Sequence, residues 1–449
     1  MRTLLINPWI YDFACYDLFS KPIGILQIAT FLKKVGFEIE FIDCLDRRHP
    51  KLVGFLGEDS VKSSAFGSGS YYSETVKKPD IFKEIHRHYK RYGMPPQLFK
   101  ELLKEINKPD IILVTSGMTY WYKGIFEAIE ILKEKFPNVP LILGGIYATL
   151  CYEHALKFSG ADFVFKGGDT EKILKLLYKI LNRKFHPEGL HSYLSPAYEL
   201  YPKLSYVSLR TSSGCPYRCT YCGWYLVNSN FSQRKPDEVV SEIEYFYKEL
   251  NIRNFAFYDD ALFYNPKNHI IKILKLLLEK EISANFHTPN GLHARFLNKE
   301  LGFLLKKAGF VQPRLGFESA DSYRQIKTGR KVNNRILIRA VELLKEAGYR
   351  SNEIGVYLMI GLPDQSSEEI KNSIYFAHQL KVRVYLEEYS PVPGTPDYKN
   401  SGLKEDMDPL LHNNSAFPLY NPKMFLEFQR LKNLNHRLNQ SHSGFVHVG

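Results

Sequence analysis

Cys215, Cys219 and Cys222 lie in one loop, spaced by three residues and then two, directly after the strand-like run at 206–210. No other feature of the chain restricts its folding and chemistry as tightly. Gly214, Pro216 and Gly223 punctuate the loop, so three thiolates can turn toward one point, which suits a soft metal centre such as an iron–sulfur cluster. A four-iron cluster needs four ligands, and three cysteines leave one iron open. An open coordination position is where a cofactor or substrate binds. The competing reading is a closed zinc site, which needs a fourth Cys or His nearby. No His lies between His191 and His269, so the cluster reading is preferred.

A chain of 449 residues can form two or three domains, each burying its own core. Its N-terminus has too short an apolar run for a signal peptide. The most apolar stretch, 270–278, is interrupted by Lys272 and Lys275, so no membrane span and a cytoplasmic address are expected. Cys15, Cys44 and Cys151 are scattered and do not form a disulfide framework. The net charge of +12 invites a nucleic-acid reading. Most lysines, however, fall on amphipathic helical stretches beside glutamates, as on a solvated surface. The denser basic cluster from Lys83 to Tyr92 receives no role.

Residues 1–182 alternate strands (3–7, 37–43, 110–116, 140–145, 161–166) with helices (from 23, 124–135, 153–158, 170–181), the pattern of a doubly wound, Rossmann-like α/β domain. Ligands of such domains bind at the carboxyl ends of the strands. Those ends carry Asn7, Ser116, Gly144, Gly145 and Gly167, where glycine admits a close ligand and serine offers a small donor. An insertion at 47–108, with helices expected at 79–92 and 96–107, lies on the binding side, as a cover or a surface embellishment. Residues 183–203, with Pro187, Pro196 and Pro202, form the expected linker.

From 204 to 398 the alternation resumes with strands at 205–210, 254–258, 283–287, 314–318, 355–360 and 383–388. Six strand–helix steps are too few for an eightfold barrel and describe a partial one, with its chemistry at the carboxyl ends of the strands. Those ends hold Asp259 and Asp260, then His287 and His293, then Glu318 and Ser319 with Arg330 and Lys331 beyond, then Gly361. A buried Glu318 is costly unless it is paired or used. Residues 399–449 form an extension with one amphipathic helix at 422–439.

The cysteine triplet, with Tyr221 before its last member, resembles the signature of the radical S-adenosylmethionine (SAM) enzymes, and the likeness covers 204–398. It implies a partial (β/α)6 barrel holding a [4Fe-4S] cluster on Cys215, Cys219 and Cys222. The open iron then chelates SAM, whose reductive cleavage yields a 5′-deoxyadenosyl radical, with electrons from a flavodoxin- or ferredoxin-type donor. It also implies that Asp259 and Asp260 meet the SAM ammonium, Glu318 and Ser319 its ribose, and Gly361 its adenine. Residues 1–182 resemble the cobalamin-binding domain of one radical SAM subgroup, with Ser116, Gly144 and Gly145 at the pocket. One departure stands out. The Asp-x-His-x-x-Gly loop is missing, and His49 lacks the glycine, so cobalamin is expected without a lower histidine ligand.

The resemblance implies a cobalamin-dependent methyltransferase acting on an unreactive carbon of a small molecule or peptide. The alternative is a radical SAM cyclase or rearrangement enzyme that uses no cobalamin. An RNA methylthiotransferase would add a second cysteine triplet and a C-terminal RNA-binding barrel. A metal-stabilised nucleic-acid binder is disfavoured because Asp259, Asp260 and Glu318 at one mouth would repel phosphates.

Overall fold

A computed structural model describes residues 1–57, 61–183, 193–228, 230–417 and 422–441. The chain divides into two compact units: Met1–Leu204 together with Glu405–Asn413, and Ser205–Lys404 together with the residues from Asn414 onward.

The first unit is built on a five-stranded parallel sheet in the order Phe163–Val164, Leu141–Leu143, Ile111–Val114, Arg2–Asn7, Glu38–Asp43. The two central runs Ile111–Val114 and Leu141–Leu143 are wholly buried, as a parallel strand covered on both faces must be. The edge strand Glu38–Asp43 keeps one polar face outward. Helices Ile23–Lys34 and Thr170–Leu181 contribute Phe31, Leu32, Ile173 and Leu177 to a core with Leu5 and Leu113. The chain leaves Arg2–Asn7 toward one edge, then crosses back to Ile111–Val114. The strand order therefore reverses between Asn7 and Ser116, where such sheets open a ligand crevice.

The insertion departs from expectation. No helix forms over 79–92; a short 3-10 turn at Asp80–Phe82 is followed by the strand Lys90–Tyr92, paired between Ile10–Asp12 and Ser73–Thr75 in an antiparallel sheet. Tertiary contacts override the helical spacing: Phe82 and Tyr89 are buried against Phe13, and Arg91 forms ion pairs with both Glu74 and Glu127. The helix expected at 96–107 is present as Pro96–Glu105. Residues Glu405–Asn413 of the expected C-terminal extension pack within the first unit, where Asp408 accepts from Tyr122 Oη at 2.9 Å and Asn413 donates to Asp12 at 2.9 Å. Pro187 of the linker and the polar end at 442–449 lie outside the described residues.

The second unit carries the expected six strands, plus Leu292–His293, in two parallel sheets. Val207–Leu209, Asn254–Phe257 and Asn285–His287 form one; Leu292–His293, Arg314–Glu318, Gly355–Ile360 and Arg383–Glu388 form the other. A parallel bridge between Phe286 and Phe310 continues the arc from the first sheet toward the second. No closed barrel forms among the described residues. The outer edge strand Arg383–Glu388 is sealed by helix Pro422–Ser441: Asn439 accepts from Val384 N at 3.0 Å, and Asn435 donates to Val384 O at 3.1 Å. Capping an edge in this way removes a template for unwanted strand pairing.

Candidate active site

The cysteine loop grows from the end of strand Val207–Leu209, and its root is held by a buried carboxylate. Asp259 accepts from Thr211 N at 3.0 Å, from Thr211 Oγ1 at 2.9 Å and from the Ser212 hydroxyl. The structure thus gives Asp259 to the loop's own backbone and hydroxyls, so only Asp260 of the pair is free to meet a ligand. Asp259→Ala is expected to destabilise the chain by about 3 kcal/mol, because several buried donors lose their acceptor. Denaturant unfolding measures the loss, and iron loading of the refolded variant should fall with it.

His269 Nε2 closes the same network on Thr211 Oγ1 at 2.8 Å. Burial, then the charge of Arg234, pushes its pKa down from 6.5 to about 4. Between these values an unfolded chain takes up a proton that the folded chain refuses. The contribution of His269 is therefore complete above pH 6.5 and is lost as pH falls toward 4. His269→Gln should flatten the acid limb of the stability curve by up to ~1.4 kcal/mol per pH unit, read as the difference from wild type.

The far side of the loop is tied by Thr220 Oγ1 donating to Asp397 at 2.9 Å, with Asp397 N returning to Thr220 O at 3.0 Å. Within it Cys222 N donates to Cys219 O at 3.1 Å, a turn that brings the thiols together. Burial above all raises their pKa values, with the Asp260 carboxylate and the neighbouring thiols adding to it, Cys215 and Cys222 each to about 11. Loading with metal must therefore displace protons. Among the described residues no three Cys, His, Asp or Glu side chains converge on a point suited to a single metal ion.

Tyr221, between the second and third cysteines, reaches from the loop to the end of strand Arg314–Glu318. Its hydroxyl donates to Glu318 Oε1 at 2.8 Å, and Lys331 forms an ion pair with the same oxygen. Glu318 adopts a left-handed φ of 69°, at a register shift between its strand and Gly355–Ile360. Such strain in a non-glycine residue is kept where it re-aims a side chain. Glu318 Oε2 is buried with no hydrogen-bond partner, an acceptor whose isolation is costly until a ligand donates to it. Burial alone would depress the Lys331 pKa, but the Glu318 carboxylate and the Cys219 thiol outweigh it and hold the ammonium charged. The Cys219 Sγ lies beside the same charge.

The remaining residues named from the sequence fall out as follows. Asp260 stands beside the loop, its main-chain oxygen 4.0 Å from Cys215 Sγ, and burial raises its carboxyl to about 7. Ser319 is turned to Glu369 at 2.9 Å, so its hydroxyl is committed to a neighbouring helix. Gly361 packs on Phe428 of the C-terminal helix, where a Cβ would come within 3.1 Å of the ring. His293 lies edge-on to Tyr217, with its ring Nδ1 buried and unpartnered.

In the first unit, Ser116, Gly144 and Gly145 meet at the crevice: Ser116 Oγ donates to Gly144 O at 2.5 Å, and a Cβ on Gly145 would strike the Ser116 backbone. Above Gly144 the space is open, with no atom within 4 Å of an added Cβ. His49 accepts from Lys51 N at 3.3 Å as a helix N-cap. An open rim of backbone and small residues would suit a bulky cofactor.

The sequence places Lys331 beyond Glu318 as a candidate for a carboxylate of SAM or substrate, whereas the structure pairs it with Glu318 itself; the supports Asp397 and His269 are not singled out by the sequence. The position of Lys331 one residue after Arg330, in the loop following Glu318, was the available signal.

The radical SAM superfamily model matches residues 209–377. An uncharacterized methyltransferase of Pyrococcus horikoshii is 24% identical over 66% of this chain and 71% of its own. The anaerobic magnesium-protoporphyrin IX monomethyl ester cyclase of Rubrivivax gelatinosus is 21% identical over 70% of this chain and 62% of its own. The radical SAM methyltransferase TsrM of Kitasatospora setae, solved with cobalamin and a [4Fe-4S] cluster, is similar in fold, with a TM-score of 0.63 at 16% identity over 88% of this chain and 76% of its own.

Proposed function

Since residues 209–377 are a radical SAM domain, we propose that this enzyme is a cobalamin-dependent methyltransferase that acts on an unreactive carbon of a small molecule or peptide. The observation that carries this reading is the likeness to TsrM, which extends over 88% of the chain and so takes in a cobalamin-binding neighbour's fold on both sides of the linker. When bound, the cluster and SAM supply a 5′-deoxyadenosyl radical, and cobalamin supplies the methyl group.

The chain's own residues bind and orient. Cys215, Cys219 and Cys222 hold the cluster. Glu318 Oε2 receives the ribose hydroxyls, and the ion pair with Lys331 fixes that carboxylate in place. Asp260, partly protonated near neutrality, stands where the SAM ammonium would favour its charged form. Ser116, Gly144 and Gly145 line the cobalamin crevice. Among the described residues no helix is long and apolar enough to cross a membrane.

Anaerobic purification with cobalamin supplied, followed by iron and cobalt counting and a search for 5′-deoxyadenosine after reduction with SAM, tests the reading. The expected result is cluster iron with one cobalt per chain and release of the nucleoside. The likeness to a cyclase favours a second reading without methyl transfer. Cluster iron without cobalt would select it.

A further inference from the structure

We propose that Arg314 forms the floor of the substrate pocket and receives an oxyanion, a carboxylate or phosphate, of the substrate. The second unit's strands divide their side chains between two faces. Phe317 packs outward on Phe376 of helix Ser367–Gln379, whereas Arg314, Gly316 and Glu318 share the other face. A Cβ built on Gly316 would lie 3.5 Å from Glu318 Oε1 and 3.3 Å from Lys331 Nζ, so this face is continuous with the proposed SAM site. Arg314 opens its strand, one inward step below Gly316.

The hydrogen bonds of the Arg314 guanidinium go to neutral groups, and the Glu387 carboxylate, on the strand of Tyr385, acts on its charge from beyond ion-pair distance. Nη1 donates to Tyr357 Oη at 2.8 Å, Nη2 to Gln312 Oε1 at 3.1 Å, and the plane rests 4.8 Å from the Tyr385 ring centroid. Among the described residues no carboxylate comes within ion-pair distance of it. Two of its five donors are used. A partly enclosed guanidinium with donors unused and no carboxylate in contact has room for a bidentate oxyanion, the partner its planar fork matches.

The surroundings are shaped to keep it in place. Tyr357 Oη passes its own proton to Pro289 O at 2.8 Å, which leaves its lone pair for Arg314. A side chain at Gly355 would come within 3.0 Å of both Arg314 Cγ and the Tyr385 ring, so glycine reserves this space. Nearby His287 is kept neutral, its pKa pushed down to about 3 by burial and then by the Arg314 charge, and cannot compete for the anion as a second cation. An oxyanion seated here would leave the rest of a small substrate directed toward Glu318 and the cysteine loop.

The inference rests on reading this face as catalytic, but its test needs no turnover, so the two can fail separately. Thermal unfolding of the full-length, cluster-reconstituted chain is followed at constant ionic strength, with succinate or inorganic phosphate replacing chloride. Wild type should show a saturable rise in Tm, and the anion that saturates at the lower concentration identifies the chemical source. Arg314→Met should weaken the apparent affinity by about tenfold or more, and Arg314→Lys, which keeps the charge and loses the fork, should fall between. A wild-type Tm indifferent to both anions, or an anion response unchanged in both variants, would overturn the proposal.

Discussion

Glu318→Gln is expected to weaken SAM binding by at least ~10-fold while leaving iron content unchanged. The carboxylate does two things at once. Oε1 holds Tyr221 and Lys331, and Oε2 waits buried and unpartnered for donors that only a ligand can bring. An amide of the same size keeps the shape but loses the charge, and its NH2 cannot accept from the ribose. The same change strips the Lys331 ammonium of its counter-charge in a site where both side chains are nearly enclosed, 14% and 11% exposed. Leaving one charge of a buried pair alone costs about 3 kcal/mol, so the variant should also unfold more readily. Adding Lys331→Met should recover much of that stability without recovering SAM affinity. Equilibrium dialysis of SAM on the cluster-loaded chain and denaturant unfolding separate the two effects. Equal SAM affinity in wild type and Glu318→Gln would remove Glu318 from the binding site.

Cys219→Ala should have the larger effect, reducing cluster iron and 5′-deoxyadenosine release to background. This thiol is the buried member of the three and lies at the junction of the site: against Gly329, beside Lys331 and one turn from Tyr221. The loop around it stays anchored through Asp259 and Asp397 whichever residue fills the position. The fold should therefore survive, and far-UV circular dichroism should be unchanged. Full iron loading in this variant would mean that the iron is held elsewhere.

Much of the architecture is legible from periodicity because the decisive runs are long or wholly apolar. Ile111–Val114 and Leu141–Leu143 announce buried parallel strands, and helix Thr170–Leu181 follows from the alternation of strands and helices. The insertion is not, because Phe82, Tyr89 and Tyr92 are spaced as on a helix yet are claimed separately by Phe13, Tyr11 and the strand Ile10–Asp12. Long-range pairing of that kind leaves no local trace. At the site, a motif identifies the cysteines, but spacing cannot say which of two adjacent carboxylates turns inward. Asp259 is spent on the loop's own amides, and Ser319 is spent on Glu369. Arg314 is invisible in the sequence for a related reason. Its meaning lies in its contacts, which are neutral while Glu387 acts on its charge from further off, and those can be known only once the neighbouring strands are in register.

The central claim is that three cysteine sulfurs leave one iron for SAM beside Glu318. Electron paramagnetic resonance of the anaerobically reconstituted, reduced chain tests it most directly, recorded with and without SAM alongside metal analysis. The account predicts about four irons per chain, a reduced-cluster signal that changes when SAM is added, and a smaller change in Glu318→Gln. A single tightly held zinc per chain, or a cluster signal that ignores SAM, would contradict it.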